Sequence, residues 1–169
     1  MPSNSMTYKV RGIEELDSTL QRAVRRMSDW KQPLKESGVY MYQSIDKNFQ
    51  SGGRPSKWKG HHWLTKKLRG GGQVLSDTGR LRQSVTSKGA GSKYQLSDSK
   101  LVIGSNVKAR GSSRLLADIQ QNGVPAGVNK VFGKPGKGGI PARPFLLIQS
   151  EDEERIEEIF RDYIEGVFR

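Results

Sequence analysis

The chain has 169 residues, of which 33% are hydrophobic, 20 are glycine and none is cysteine. That length suits one domain with a lean core, and the missing thiols exclude disulfides and thiolate metal sites. The formal net charge is +12 and the mean hydropathy is -0.70; no apolar run approaches the ~20 residues that span a bilayer. The segment MPSNSMTYKVRG has no apolar stretch of the kind a secretory leader carries, so synthesis in a reducing compartment is expected.

Residues 1–50 read as the helical N-terminal part. Apolar residues recur at Ile13, Leu16, Leu20, Val24, Met27 and Trp30, in steps of three or four. Pro33 interrupts the pattern, and a second stripe runs Leu34, Met41, Tyr42, Ile45 and Phe49. The expectation is a helix pair, or one long helix kinked at Pro33, whose apolar face joins the core or packs on a neighbouring subunit.

Residues 51–72 form a basic, glycine-rich stretch read as an extended loop, with breaks at Gly52-Gly53 and Gly70–Gly72. Trp58, Trp63 and Leu64 are expected to pin it, leaving Lys57, Lys59, Lys66, Lys67 and Arg69 outward. In SDTGRLRQSV, Asp77 or Thr78 is positioned to cap a short helix carrying Leu81 and Val85. Strand-like pieces follow at 85–87, 94–96 and 101–103, the last two joined by a turn at SDSK. Residues 113–123 fit a short helix or a strand. Residues 123–140 contain no acid and many glycines, and read as a second extended basic loop. Pro141 and Pro144 then stiffen the exit from that loop and direct residues 145–148. The last element, residues 150–168, is a helix with Ser150 and Glu153 as a capping box, acids in its first turn and an apolar stripe from Ile156 to Val167. The fold class expected for residues 1–169 is α+β: a single domain with the N-terminal helices and the C-terminal helix packed on a small antiparallel sheet.

Charge is segregated along the chain. Residues 51–143 hold 18 Lys/Arg against three acids, Asp77, Asp98 and Asp118; residues 144–169 hold three Lys/Arg against eight acids. The middle suits a polyanion such as DNA, or the acidic end of another copy. Catalytic chemistry finds no support. His61 and His62 are adjacent, with no Asp, Glu or Cys close in sequence, Ser84 has no evident base, and the glycine stretches match neither a phosphate loop nor a dinucleotide fingerprint. No cofactor, metal site or catalytic residue is expected. The charge alone would also fit a free, sequence-nonspecific DNA-binding protein.

Taken together, SGGRPSKW (51–58), VLSDTGRLRQSV (74–85), VIGSN (102–106), LADIQQNGV (116–124) and IPARPFL (140–146) resemble, in order, the phage virion morphogenesis family, also called tail completion proteins. The chain departs from the family pattern at Leu116 and Gln120, where an aromatic and a histidine are more common, and at Leu147, where a glycine is. The resemblance implies a structural virion protein, not an enzyme, at the neck between head and tail. It implies a homo-oligomeric ring, commonly of six copies, touching adjacent head-connector and tail-tube or terminator proteins and surrounding packaged DNA. On that reading Arg143, flanked by prolines, is expected to hold backbone carbonyls or a carboxylate in a fork. Val131, Phe132, Arg143, Phe145, Glu157 and Glu158 become candidate subunit or neck contacts. Lys57, Lys59, Lys66, Lys67, Arg69, Lys130, Lys134 and Lys137 become candidate channel charges.

Overall fold

A computed structural model describes residues 13–125 and 139–166. Its elements run α1 (Ile13–Met27), α2 (Lys31–Ser51), α3 (Trp63–Arg69), α4 (Arg80–Thr86), β1 (Ser92–Leu96), β2 (Leu101–Ser105), α5 (Leu116–Asn122) and α6 (Ser150–Glu165). The fold class is α+β, as the sequence led us to expect.

The N-terminal part is a helix pair. The break falls at residues 28–30, and Pro33 sits in the first turn of α2, where no intrahelical partner for its nitrogen is required. Ser37 donates its hydroxyl to the Pro33 carbonyl at 2.8 Å. At the other end Gly52 takes a left-handed conformation, and the Gly52 and Gly53 amides reach back to Phe49 and Asn48, closing α2.

The sheet is a two-stranded antiparallel hairpin with Tyr94 opposite Ile103 and Leu96 opposite Leu101, turned by residues 97–100. It packs on α2 at Gly38. A side chain there would come within 3.0 Å of Leu101, so the missing Cβ sets how closely hairpin and helix approach. Tyr42 of α2 also lies beside Tyr94. The helix α6 joins this layer through α2, and Trp30 stacks on Phe160 at 5.6 Å. Tyr163 adds a hydroxyl bond to the Asp29 carbonyl at 2.9 Å.

The main core gathers Ile45 and Phe49 of α2, Trp58, Leu81 and Val85 of α4, Ala117 of α5, and Phe145. Phe49 is its centre, edge-on to Trp58 and tilted against Phe145 at 5.3 Å. Burying such a ring is worth about 2–3 kcal/mol. A smaller cluster joins Ala109, Ile119 and Val124 to Leu116 and Ile140.

Several local expectations need correction. Residues 85–87 are not a strand: Val85 closes α4 one turn after Leu81, and shared burial of the two enforces helical spacing over the β-preference of valine. Neither Asp77 nor Thr78 is the N-cap of α4; Gly79, in a left-handed conformation, precedes its first residue. Residues 51–72 are not wholly a loop, since α3 occupies 63–69, and Trp63 is exposed, so Trp58 alone of the two tryptophans is a buried anchor. The cap of α6 lies one residue earlier than Ser150: the Gln149 amide donates to Asp152 at 3.0 Å. Within the stretch 113–123, Leu116–Asn122 form a short helix, preceded by an isolated β-bridge of Leu115 to Lys108. Finally, the apolar stripe of α1 is not a core face, because Leu16, Leu20, Val24 and Met27 are all exposed.

Candidate assembly surface

Residues 140–146 form a strap that binds three distant parts of the chain. It begins where Ile140 and Val124 exchange backbone hydrogen bonds, both at 2.8 Å. This bridge fixes the two ends of the second basic loop. Residues 126–138 lie outside the described residues, and with them the expected contacts Val131 and Phe132 and the charges Lys130, Lys134 and Lys137.

Arg143 follows, and it is buried. Its Nε donates to the Lys59 carbonyl at 3.0 Å, one terminal nitrogen to the Gly60 carbonyl at 3.2 Å, and the other to Gln120 Oε1 at 3.3 Å. Its own amide donates to the Gln120 carbonyl at 2.7 Å. This is the fork to backbone carbonyls expected from the flanking prolines. Burial lowers the guanidinium pKa from its ordinary value, and the three oxygen acceptors offset the lost water. Gln120, one of the departures from the family pattern, therefore serves Arg143 through both side chain and backbone.

Phe145 is fully buried, so its packing is within the subunit. Gln121 holds the strap on either side of it: its Oε1 accepts from the amides of Phe145 and Leu146, and its Nε2 donates to the Leu146 carbonyl at 3.0 Å. One side chain thus replaces a strand partner. Trp58 Nε1 donates to the Pro144 carbonyl at 2.8 Å, and Asn48 Nδ2 to the Phe145 carbonyl at 3.0 Å. Gln121 falls within the recognised segment LADIQQNGV, but neither it nor Asn48 carries a local mark of its partner, since each acts on a segment far along the chain.

A second polar hub sits at Arg54. Its Nε donates to Asn48 Oδ1 at 2.8 Å, and its terminal nitrogens reach the Ser44 carbonyl and hydroxyl and Glu151 at 2.6 Å. The hub ties the first basic segment to the acidic start of α6. A third contact is the pair of hydrogen bonds that the Arg82 guanidinium donates to the Asp46 carboxylate, at 2.6 and 2.8 Å, which holds the Asp46 carboxyl below its usual range.

The candidate charges divide by element. Lys57 and Lys59 flank the buried Trp58 and are exposed, and Lys57 Nζ also meets the Ser51 carbonyl. Lys66 and Lys67 lie exposed on α3, which also contains Arg69. Glu157 and Glu158 are exposed on α6, with Glu158 paired to Arg155 at 2.7 Å. Arg143 thus holds the carbonyls of the segment whose lysines face outward, whereas Glu157 and Glu158 stand on a separate helix. Among the described residues no group of three His, Cys, Asp or Glu is placed to hold a metal ion. No helix there is long and apolar enough to cross a membrane.

The strap and its supports are built from three of the recognised segments, SGGRPSKW, LADIQQNGV and IPARPFL, brought together in space. Comparison with known proteins covers more than these pieces: residues 12–165 match the phage virion morphogenesis family. The chain belongs to that family. The match takes in α1 and α2 as well as everything from the first basic segment to α6. A curated relative, the Mu-like prophage FluMu G protein 2 of Haemophilus influenzae, is 26% identical over 160 residues, covering 93% of this chain and 94% of its own. No solved structure matches. The motifs of this family member are thus largely fold-forming, and among the described residues the lysines of the first basic segment and α3, Glu157 and Glu158 of α6 and the α1 stripe are exposed.

Proposed function

We propose that this phage virion morphogenesis protein is a structural component of the neck, needed to join heads to tails or to complete the tail. Family membership over residues 12–165 carries the reading. The described residues add support of a general kind: a core, three polar hubs and a charged exterior fit a building block. The proposed working form is a ring, six copies being the expected number, between head-connector proteins and the tail tube or its terminator. DNA passes through the channel.

The charge layout suits such a ring. Exposed lysines on short glycine-bounded segments attract DNA diffusely and without base contacts, so passing DNA is not gripped. The acidic face of α6, with Glu157 and Glu158, is the complementary surface for a basic patch on the next copy, a heterologous contact that closes when the rotation is right. Deleting the gene tests the role. Filled heads and separate tails, or tails of abnormal length, are expected by electron microscopy, with rescue by the intact gene. Normal infectious particles from the deletion strain would overturn it, and loss of DNA compaction or replication with particles still joined would favour the free DNA-binding reading.

A further inference from the structure

The short helix α3 carries an aromatic ring and two lysines on one exposed face. Trp63, Lys66 and Lys67 stand at i, i+3 and i+4, and all three are exposed, Trp63 by 67%. The segment that presents them is anchored: Trp58 is buried, and Arg143 holds the carbonyls of Lys59 and Gly60. Tryptophan is the residue type most enriched among the anchors of protein interfaces, where lysine belongs to the rim. Duplex DNA would engage the two lysines through its phosphates and leave the indole idle, since its bases are stacked on one another. The face therefore suits an acidic protein surface.

The helix α6 has the complementary pattern on its outer side. Asp152 and Ile159 mark its buried side. Opposite them Glu154, Glu157, Glu158 and Arg161 are exposed on successive turns of one face. Arg161 sits within that acidic face, and among the described residues it has no ion-pair partner. When Lys66 and Lys67 of one copy meet Glu157 and Glu158 of another, two helix orientations remain. Parallel helices would place Trp63 over Glu154, whose carboxylate the ring face repels. Antiparallel helices place it over Arg161, whose guanidinium stacks on an indole. We infer that α3 of one copy docks antiparallel on the outer face of α6 of the next, with Trp63 over Arg161 and the two lysines over Glu157 and Glu158. The two helices are different surfaces of the same chain, so the contact is heterologous and repeats head to tail. It rests on the ring reading above and names the basic patch that the acids of α6 meet. Lys66 and Lys67 then belong to the neighbour, and Lys57 and Lys59 remain for DNA.

Charge reversal in the deletion strain tests the contact. Lys66→Glu with Lys67→Glu should cut the yield of joined particles at least about tenfold relative to the intact gene, and Glu157→Lys with Glu158→Lys should do the same. All four changes in one chain restore opposite charges across the contact and should recover most of that yield. Each purified variant should keep its thermal melt, because the four positions are exposed. If a reversal fails to fold, cross-linking decides, since the chain has no cysteine of its own. Lys67→Cys and Glu158→Cys in one chain, oxidised mildly at high concentration, should give a ladder of linked oligomers, and either change alone should not. Reversals that join particles normally, or a double-cysteine chain that stays monomeric or closes only on itself, would overturn the docking. So would two reversals that each fail with no recovery on combination, which would give the α3 face to DNA or to another neck protein. Normal particles from the deletion strain itself would sink the neck reading instead, and the ladder would then judge the contact alone.

Discussion

Arg143 shows how a residue's role follows from the constraint on its neighbours. Proline on either side of Ala142-Arg143 limits the backbone, so the side chain is aimed at the carbonyls of Lys59 and Gly60 at little entropic cost. Arg143→Ala should lower unfolding free energy by about 2–4 kcal/mol in urea titrations, because the carbonyls of Lys59 and Gly60 lose a charged donor and the strap loses its tie to that segment. Arg143→Lys should recover less than half, since an ammonium cannot span both acceptors. Asp46 gives a pH-dependent prediction. Its carboxyl is held below the ordinary 3.8 by Arg82, so its stabilisation is fully present above that value and is lost as pH falls through the lower folded value. Asp46→Asn should therefore cost roughly 1 kcal/mol at pH 7, and the difference from the parent should shrink below 3.8 and vanish once the folded carboxyl is fully protonated; a difference unchanged in strong acid would argue against the ion pair. The fork of Arg143 was legible because prolines leave a local mark. Gln121 and Asn48 were not, because a polar side chain carries no trace of a carbonyl 25 or 97 positions away.

Long periodic elements were legible in the sequence: α2 and α6 each pair an apolar stripe with an end signal, and the hairpin has its turn written in SDSK. The shorter elements depend on packing that no local window contains. The helix α3 hides among glycines and lysines, and Val85 looks like a strand residue until Leu81 draws it into the core. Amphipathicity has a further blind spot, visible in α1. It shows that a face needs cover and is silent about what covers it. At the base of the second basic loop, Gly123 has φ 72 and ψ -177, and an added Cβ would lie 2.6 Å from the Ile140 carbonyl and 2.7 Å from the Ala142 nitrogen. All these neighbours are backbone and cannot move aside without breaking the Val124–Ile140 bridge. Gly123→Ala should cost about 2 kcal/mol or more and speed amide exchange at Val124 and Ile140. Unchanged protection at both amides would show that the bridge does not organise the strap.

Across the whole molecule, recognised motifs and outer charges have separated roles. The motif segments meet at the strap and in the core, and Lys59, Lys66 and Lys67 are exposed outside them, while Lys57 is exposed within SGGRPSKW with its Nζ on the Ser51 carbonyl. Replacing all four by Gln should leave stability within about 0.5 kcal/mol, as for exposed sites generally. It should also weaken salt-sensitive DNA retention, the log–log salt slope becoming shallower by about one for each phosphate that is no longer neutralised. A fold that melts much earlier would place those lysines among the structural residues. Sequence reading captured this separation only by way of family resemblance, because composition gives the sign of a surface and not its place in a particle. The neck assignment is tested most directly by cryo-electron microscopy of intact virions, with the density at the head–tail junction resolved well enough to trace chains. The account predicts this α+β subunit there, repeated in a ring around the DNA channel, with the strap ordered and the Lys57–Lys59 segment towards the DNA. Complete neck density containing no copy of the fold would contradict it.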